Sequence, residues 1–451
     1  MAVWSVVHYC ELSDDLRIDS EHYRPEVLQL RAAIRESAYP VHRLEDLSRS
    51  VINFGAYSLC NDIVFQETGV PFITAQDIRE GFIDFTCPRF ISKEQHRTLL
   101  WKSAVKQGQV LVAMAARLGV AAVYNGSAPL NSSQDVAKVA LTNADETNPY
   151  YVAAFINAKV GRDQLLASQT GSVQQHTNLG QIKNLKIVVP PSRLQKGVAA
   201  LFEAALQERD RAESCYDEGE ALLLSSLGLN KLDLSPSLFY VRHYSDTTTA
   251  GRVDAEYFSP RYQRVLNHLR QGGQTIGDVA PLAERKFQAE AGATFSYIEI
   301  GNLAGNGEAR AEVMDGGDAP SRAQWIVQPG DVISSTVRPI RRLSALISKE
   351  QAGHVCSSGF AVLHPTGIEP EVLLVYLRLP IVCEILNLHT TASMYPTIPV
   401  EQLLRIPIAL PAMSVRDRIV DKVQAAFAAR REAACLLDEA KSAVERLILK
   451  N

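Results

Sequence analysis

Cysteine is scarce in this chain and never paired. Cys10, Cys60, Cys87, Cys215, Cys356, Cys383 and Cys435 make seven, an odd number with no CxxC spacing. That argues against a disulfide framework or a zinc cluster and fits a reducing, cytoplasmic setting. No uninterrupted apolar run approaches the roughly 20 residues that a membrane span needs. The first residues, Met1–Val6, hold no basic stretch ahead of a long apolar run, so no signal peptide is expected. An HExxH, a GxSxG, a Walker loop and a convincing nuclease carboxylate–lysine set are all missing, which points away from an enzyme. A basic excess is missing too. The formal net charge is −4, so contact with nucleic acid has to come from local patches.

What is present is a duplication. A polar loop, Thr170-Gly171-Ser172-Val173-Gln174-Gln175-His176-Thr177-Asn178, precedes an apolar strand at Lys186–Val189, a Pro190-Pro191 stop and a long helical pattern. The same order returns at an offset of 221, from Thr170 to Thr391. There Thr391–Thr397 precedes Ile406–Leu410, Pro411 and a second long helical pattern. Earlier, Arg17-Ile18-Asp19-Ser20-Glu21 matches Arg252-Val253-Asp254-Ala255-Glu256, and Val6–Tyr9 matches Val241–Tyr244. Repeats of this kind set the architecture. Helical patterns are expected over Glu26–Ile34 and Arg261–Leu269. Strands are expected at Pro71–Ala75, Val110–Ala115 and Val136–Leu141, then at Thr294–Ile300, Val332–Val337 and Gly359–Leu363. Asn148-Pro149 and Glu369-Pro370 open helices, because proline suits the first helical position. Leu238–Val241 reads as a strand of the second globule.

The expected fold is therefore α/β (α+β), with two duplicated globules related by a pseudo-twofold. The boundaries fall at 1–190, a helix at 191–228, a linker and second globule at 229–412, and a second helix at 413–451. In the second helix Ile419, Val423, Ala426, Arg430, Ala433, Leu437, Ala440, Val444 and Leu447 alternate steps of four and three, a heptad seam with one charge in it. In the first, Leu194, Val198, Leu201, Ala205, Ala212, Tyr216, Gly219 and Leu223 follow nearly the same steps, with Glu208 in the seam. A helix of about 35 residues is about 50 Å long, more than a compact globule can cover. Each helix is expected to pair with the other, antiparallel, with the globules at opposite ends.

This order resembles the DNA-specificity subunit of type I restriction–modification enzymes. The residues that carry the likeness are the Arg-x-Asp-x-Glu openings, the turn Pro329-Gly330-Asp331-Val332-Ile333 and the junction Pro190-Pro191-Ser192-Arg193-Leu194-Gln195. The second copy of that junction departs, with Ala412 for a second proline and Arg416 for Gln195. The resemblance implies two target-recognition domains, each reading half of a split site in double-stranded DNA. It implies that the helices set the gap and dock methyltransferase subunits, two of them, and through these the restriction–translocase subunits. Leu194, Val198, Leu201, Ile419, Val423, Leu437 and Val444 are the helix positions assigned to that docking. The subunit itself needs no cofactor; S-adenosylmethionine and ATP belong to the partners.

Base contact is expected from two places. Arg117 and Arg338 stand at corresponding positions after a central strand, and Arg341 and Arg342 follow closely; Lys102 belongs to a basic run before Arg117. Arginine can span phosphate and guanine edges. A solvated charged face explains any single one of them equally well. The polar loops supply Ser172, Gln174, Gln175, His176, Ser393 and Tyr395. Glutamine can pair with adenine, whereas Ser, Thr and Asn can equally cap a helix. His8 and His243 read as structural, and the Asp19/Glu21 and Asp254/Glu256 pairs as structural or partner-facing. Asn148-Pro149-Tyr150-Tyr151 approaches the Asn-Pro-Pro-Tyr loop of amino-methyltransferases, but a proline is missing and no glycine-rich loop accompanies it. The competing class is a protein-binding scaffold, two globules on a coiled coil without DNA readout.

Overall fold

In a computed structural model of the chain, residues 6–7, 20–55, 57–85, 88–168, 176–303, 305–391 and 394–449 are described. The chain forms two compact units, one of Met1–Asp210 with Ala429–Asn451 and one of Arg211–Ala428. The division falls within both long helices, whereas the boundaries read from the sequence fall at their ends.

The first unit is built around the strand Val110–Ala113, whose four residues are all buried. Successive side chains leave a strand on opposite faces. Val110 and Val112 join Tyr151, Phe155 and Ile156 of the helix Pro149–Asn157. Leu111 and Ala113 join Ile73, Ile78 and Leu130 on the other face. A strand buried on both sides reads as a continuous apolar run, which is why it was visible in the sequence. It lies in an antiparallel sheet ordered Ser48–Ile52, Val136–Leu141, Val110–Ala113, Ala121–Val123. A second sheet runs Phe65–Gln66, Arg89–Ile91, Val70–Ile73, Leu130–Ser132, Ala104–Val105, with Val70–Ile73 and Leu130–Ser132 parallel. Val41–Arg43 pairs with Lys186–Val188 beside the start of the first long helix.

The second unit repeats these pairings. Val332–Ser335 lies between Ser344–Leu346 and Phe360–Leu363. Thr294–Ile298 and Val355–Ser357 form the parallel pair. Gln274–Thr275 pairs with Pro407–Ile408. Helices Pro370–Arg378 and Pro380–Leu388 stand where Pro149–Asn157 and Lys159–Ser168 stand in the first unit. The duplication is thus one of topology.

The long helices run Ser192–Ser226 and Met413–Ile448. In the first unit Val198, Ala199 and Phe202, early in one helix, bury with Ala440, Val444 and Ile448, late in the other. In the second unit Tyr216 and Leu223, late in the first helix, bury with Ile419, Val423 and Ala426, early in the second. Each unit therefore holds an antiparallel stretch of the pair. At Gly219 the helices lie at ordinary contact distance, since a Cβ there would meet Lys422 Cβ at 3.6 Å, and Lys422 Nζ reaches Glu218 Oε2 at 2.5 Å.

Three expectations need correction. Ala429 and Ile448 are buried where Arg430 and Leu447 were placed in the seam, and Phe202 is buried more deeply than Leu201. A straight helix turns every 3.6 residues, so a strict heptad count drifts off the buried stripe. Leu238–Val241 is not a strand. Among the described residues it pairs with no strand, and Leu238, Phe239 and Val241 are exposed. Val198, Ile419, Val423 and Val444 were assigned to partner docking, but they are consumed inside their own units and offer no surface. Leu201 and Leu437 are partly buried against the same core, and Leu194 is the most exposed of the set at 38%.

The departures at the helix junction have a structural account. In the first unit the buried Gln195 side chain accepts from the Asn148 N–H at 2.9 Å and donates to the Glu146 and Pro190 carbonyls. In the second unit Arg416 pairs with Glu369 at 3.1 Å. The positions 148 and 195 correspond to 369 and 416, so one neutral stitch was exchanged for an ionic one. Asn148 Oδ1 also accepts from the Tyr150 and Tyr151 N–H groups, a helix cap and not a methyltransferase loop. The Arg252-x-Asp254 motif is a clamp. Arg252 grips Asp254 at 2.6 Å, donates to the Leu388 carbonyl at 2.9 Å and stacks over Tyr257. His22 makes the matching bond to the Ala167 carbonyl at 3.0 Å. His8, Asp19 and the side chain of Glu21 lie outside the described residues.

Candidate nucleic-acid interface

In the second unit the fold brings the two candidate loops together. The strand Val332–Ser335 runs into Val337-Arg338-Pro339-Ile340-Arg341-Arg342. Val337 bridges Thr397, the Arg338 N–H donates to the Pro396 carbonyl at 2.7 Å, and the Ile398 N–H donates to the Thr336 carbonyl at 2.9 Å. The Arg338 guanidinium lies 5.0 Å from the Tyr395 ring centroid, and Nη2 donates to the Met394 carbonyl at 3.4 Å. The result is a knuckle whose tip is exposed: Ile340 49%, Met394 78%, Tyr395 62%, with Arg341 exposed beside them. Guanidinium on an aromatic ring, with apolar tips around it, suits stacking and thymine-methyl contact as well as phosphate.

The knuckle is held in an unusual conformation. Arg338 and Arg342 have φ of 50° and 59°, the left-handed region that side chains disfavour. The hold comes from behind. Arg342 Nε donates to the Arg378 carbonyl and Nη2 to Glu220 Oε2, both at 2.6 Å. Arg378 is 4% exposed and donates to Tyr216 Oη, the Arg342 carbonyl and the Gly305 carbonyl, at 2.7, 2.8 and 2.6 Å. Burial raises the Tyr216 hydroxyl pKa above its ordinary value, against the opposing pull of Arg378. Arg342 is therefore an anchor of the loop, and its expected place among the base contacts is corrected: its guanidinium is spent inward.

The first unit repeats the pairing with different side chains. Ala116, at φ 60°, holds the place of Arg338, and Arg117 follows it, exposed. The Thr177 N–H donates to the Met114 carbonyl at 3.0 Å, the counterpart of the bond from Ile398 to Thr336. Exposed His176 thereby sits at the same loop junction as Arg117. Lys102 does not join them. It is exposed on the turn Trp101–Ser103, over the Trp101 ring at 5.4 Å, next to the edge strand Ala104–Val105 of the other sheet. Ser172, Gln174, Gln175 and Ser393 lie outside the described residues. The sequence reading missed Ile340 and Met394; the available signal was an apolar residue in an otherwise polar loop. Among the described residues, no group of three or more His, Cys, Asp or Glu is placed to hold a metal, and no helix is long and apolar enough to cross a membrane.

No family model matches the chain. The specificity subunit of type I restriction enzyme HindI from Haemophilus influenzae is 21% identical over 151 residues, 33% of this chain and 33% of that protein. The match spans about a third of the relative's length. Among solved structures, the S subunit of a type I restriction–modification system from M. genitalium aligns over 92% of this chain and 97% of its own, at 10% identity and a TM-score of 0.43. The HsdS subunit from Thermoanaerobacter tengcongensis aligns over 91% and 97%, at 16% identity and a TM-score of 0.31. The duplicated order of loop, strand, proline stop and long helix, with the match to the HindI subunit, makes this chain similar to the specificity subunits of type I restriction–modification enzymes.

Proposed function

We propose that this chain is a non-catalytic DNA-reading subunit that recognises a two-part site in double-stranded DNA. Each unit reads one part, through the knuckle after its central strand and the polar loop joined to it. The paired long helices set the number of unspecified bases between the parts. Methyltransferase subunits dock on the chain, and these, not this chain, bring S-adenosylmethionine; restriction–translocase subunits bring ATP. The observation that carries the reading is the repetition. Two units of unlike surface sequence keep the same loop-to-loop bond, Thr177 to Met114 and Ile398 to Thr336, behind exposed side chains that differ. A constant scaffold under variable tips is what reading two different half-sites requires. Because the chain is acidic overall, phosphate contact has to be local.

The test is duplex binding by the chain with its methyltransferase partner across a salt series. Affinity falling steeply with salt, by roughly tenfold or more between 50 and 200 mM, supports phosphate contact. Binding of the partner without any duplex affinity favours the scaffold reading instead.

A further inference from the structure

Within the second unit, a cavity of about 320 Å³ opens between the end of the helix Pro260–Arg270, the strand pair Gln274–Thr275 with Pro407–Ile408, and the helix Val400–Leu404. Arg270, Arg405, His389, Gln274, Thr275 and Gln402 supply its polar wall, and no carboxylate lines it. We propose that this cavity binds a phosphate group, with Arg270 and Arg405 supplying charge and His389 Nε2 a hydrogen bond.

Three observations converge. Two guanidinium groups share one concave wall, and among the described residues the one side-chain hydrogen-bond partner of either is Asn267, which accepts from Arg270 Nη1 at 2.9 Å. Among the described residues, the buried His389 Nε2 has no hydrogen-bond partner, which is costly unless something supplies one. The ring itself is fixed, edge-on to Tyr257 at 5.5 Å. Burial first, then Arg252 and Arg270, hold the His389 pKa down to about 4, with Asp254 opposing. Asp254 is itself gripped by Arg252. Beyond burial, Arg252 and Arg270 set a positive field on the ring, and an anion in the cavity offsets that part of the shift. Phosphate fits both needs: its oxygens accept from guanidinium groups in a bidentate fashion, and one of them accepts from the imidazole when the proton sits on Nε2. The first unit lacks this set, since Asn184 and Ser168 stand at the positions of Arg405 and His389.

The proposal does not depend on the DNA reading, because its first arm contains no DNA. Inorganic phosphate is titrated into the full chain at constant ionic strength while the His389 Cε1–H resonance is followed by NMR. The expected result is a saturable shift and a rise in the His389 pKa. Arg270→Gln and Arg405→Gln, both surface substitutions, each weaken phosphate binding about tenfold, in line with a charged hydrogen bond. The second arm adds duplex DNA. Displacement of phosphate by duplex identifies a DNA backbone phosphate as the occupant; no displacement identifies a free phosphate compound. A His389 resonance that stays put, or drifts without saturation and equally in both variants, overturns the site.

Discussion

Replacing Lys138 with methionine should stabilise the first unit, although the substitution deletes a hydrogen bond. Lys138 is fully buried in the strand Val136–Leu141, opposite Leu111, and its ammonium donates to Ser132 Oγ at 3.0 Å. Burial lowers its pKa from 10.5 to about 8. The charged form is thus disfavoured in the fold, relative to the unfolded chain, by about 3 kcal/mol. The sign follows from the depressed value. Below about pH 8 the lysine is charged in both states and the penalty is complete. As pH rises from 8 towards 10.5 the unfolded chain binds more protons than the folded one, and wild-type stability climbs. Methionine fills similar volume and carries no charge, at the cost of leaving Ser132 Oγ with a weaker partner, about 1 kcal/mol. The duplicate holds a natural control. Val362 occupies the matching register opposite Ile333, so the fold accepts an aliphatic side chain there. The assay is urea denaturation followed by tryptophan fluorescence in a Trp325→Phe background, which removes the second unit's tryptophan. At pH 7, K138M should be more stable by about 2 kcal/mol, and the difference should vanish or invert by pH 10.5. A variant less stable than wild type at pH 7, or a gap independent of pH, would refute the reasoning.

Other expectations follow from the same geometry. Arg378→Met strands the Gly305 and Arg342 carbonyls and the Tyr216 hydroxyl, and should cost about 3–5 kcal/mol, read as a drop in the melting temperature of the second unit. Arg338→Ala and Tyr395→Ala should weaken duplex binding about tenfold while leaving the melting temperature near wild type, whereas Arg342→Ala should lower the melting temperature; fluorescence anisotropy and calorimetry separate the two effects. Arg416→Gln and Glu369→Gln, singly and together, should show a coupling of about 1 kcal/mol in a double-mutant cycle, because the pair is only partly buried.

The sequence made the repeated elements legible because apolar runs such as Val110–Ala113 and Val332–Ser335 are buried on both faces. The proline-opened helices at Pro149 and Pro370 were legible because their caps are local. What depended on distant partners was not. Nothing near Arg342 in the sequence announces Glu220, and nothing near Lys138 announces its burial. Leu238–Val241 looks like a strand and stays exposed for want of a neighbour. The heptad count lost register at Ala429 and Ile448 because it assumed a period the straight helix does not keep. For the candidate interface, loop identity was legible and side-chain direction was not. Arg338 and Arg342 are four residues apart, yet one lies on the exposed Tyr395 and the other turns inward.

The spacer role of the helices is tested most directly by mapping methylated sites in DNA from cells that carry this chain and its methyltransferase partners. Seven residues are inserted after Asp210 and seven after Ala428, the points where the two units divide. A seven-residue insertion adds about 10 Å of helix, close to three base pairs of DNA. The account predicts a two-part motif whose half-sites are unchanged and whose gap lengthens by about three base pairs. An uninterrupted motif, or an unchanged gap in a folded and active variant, would contradict it.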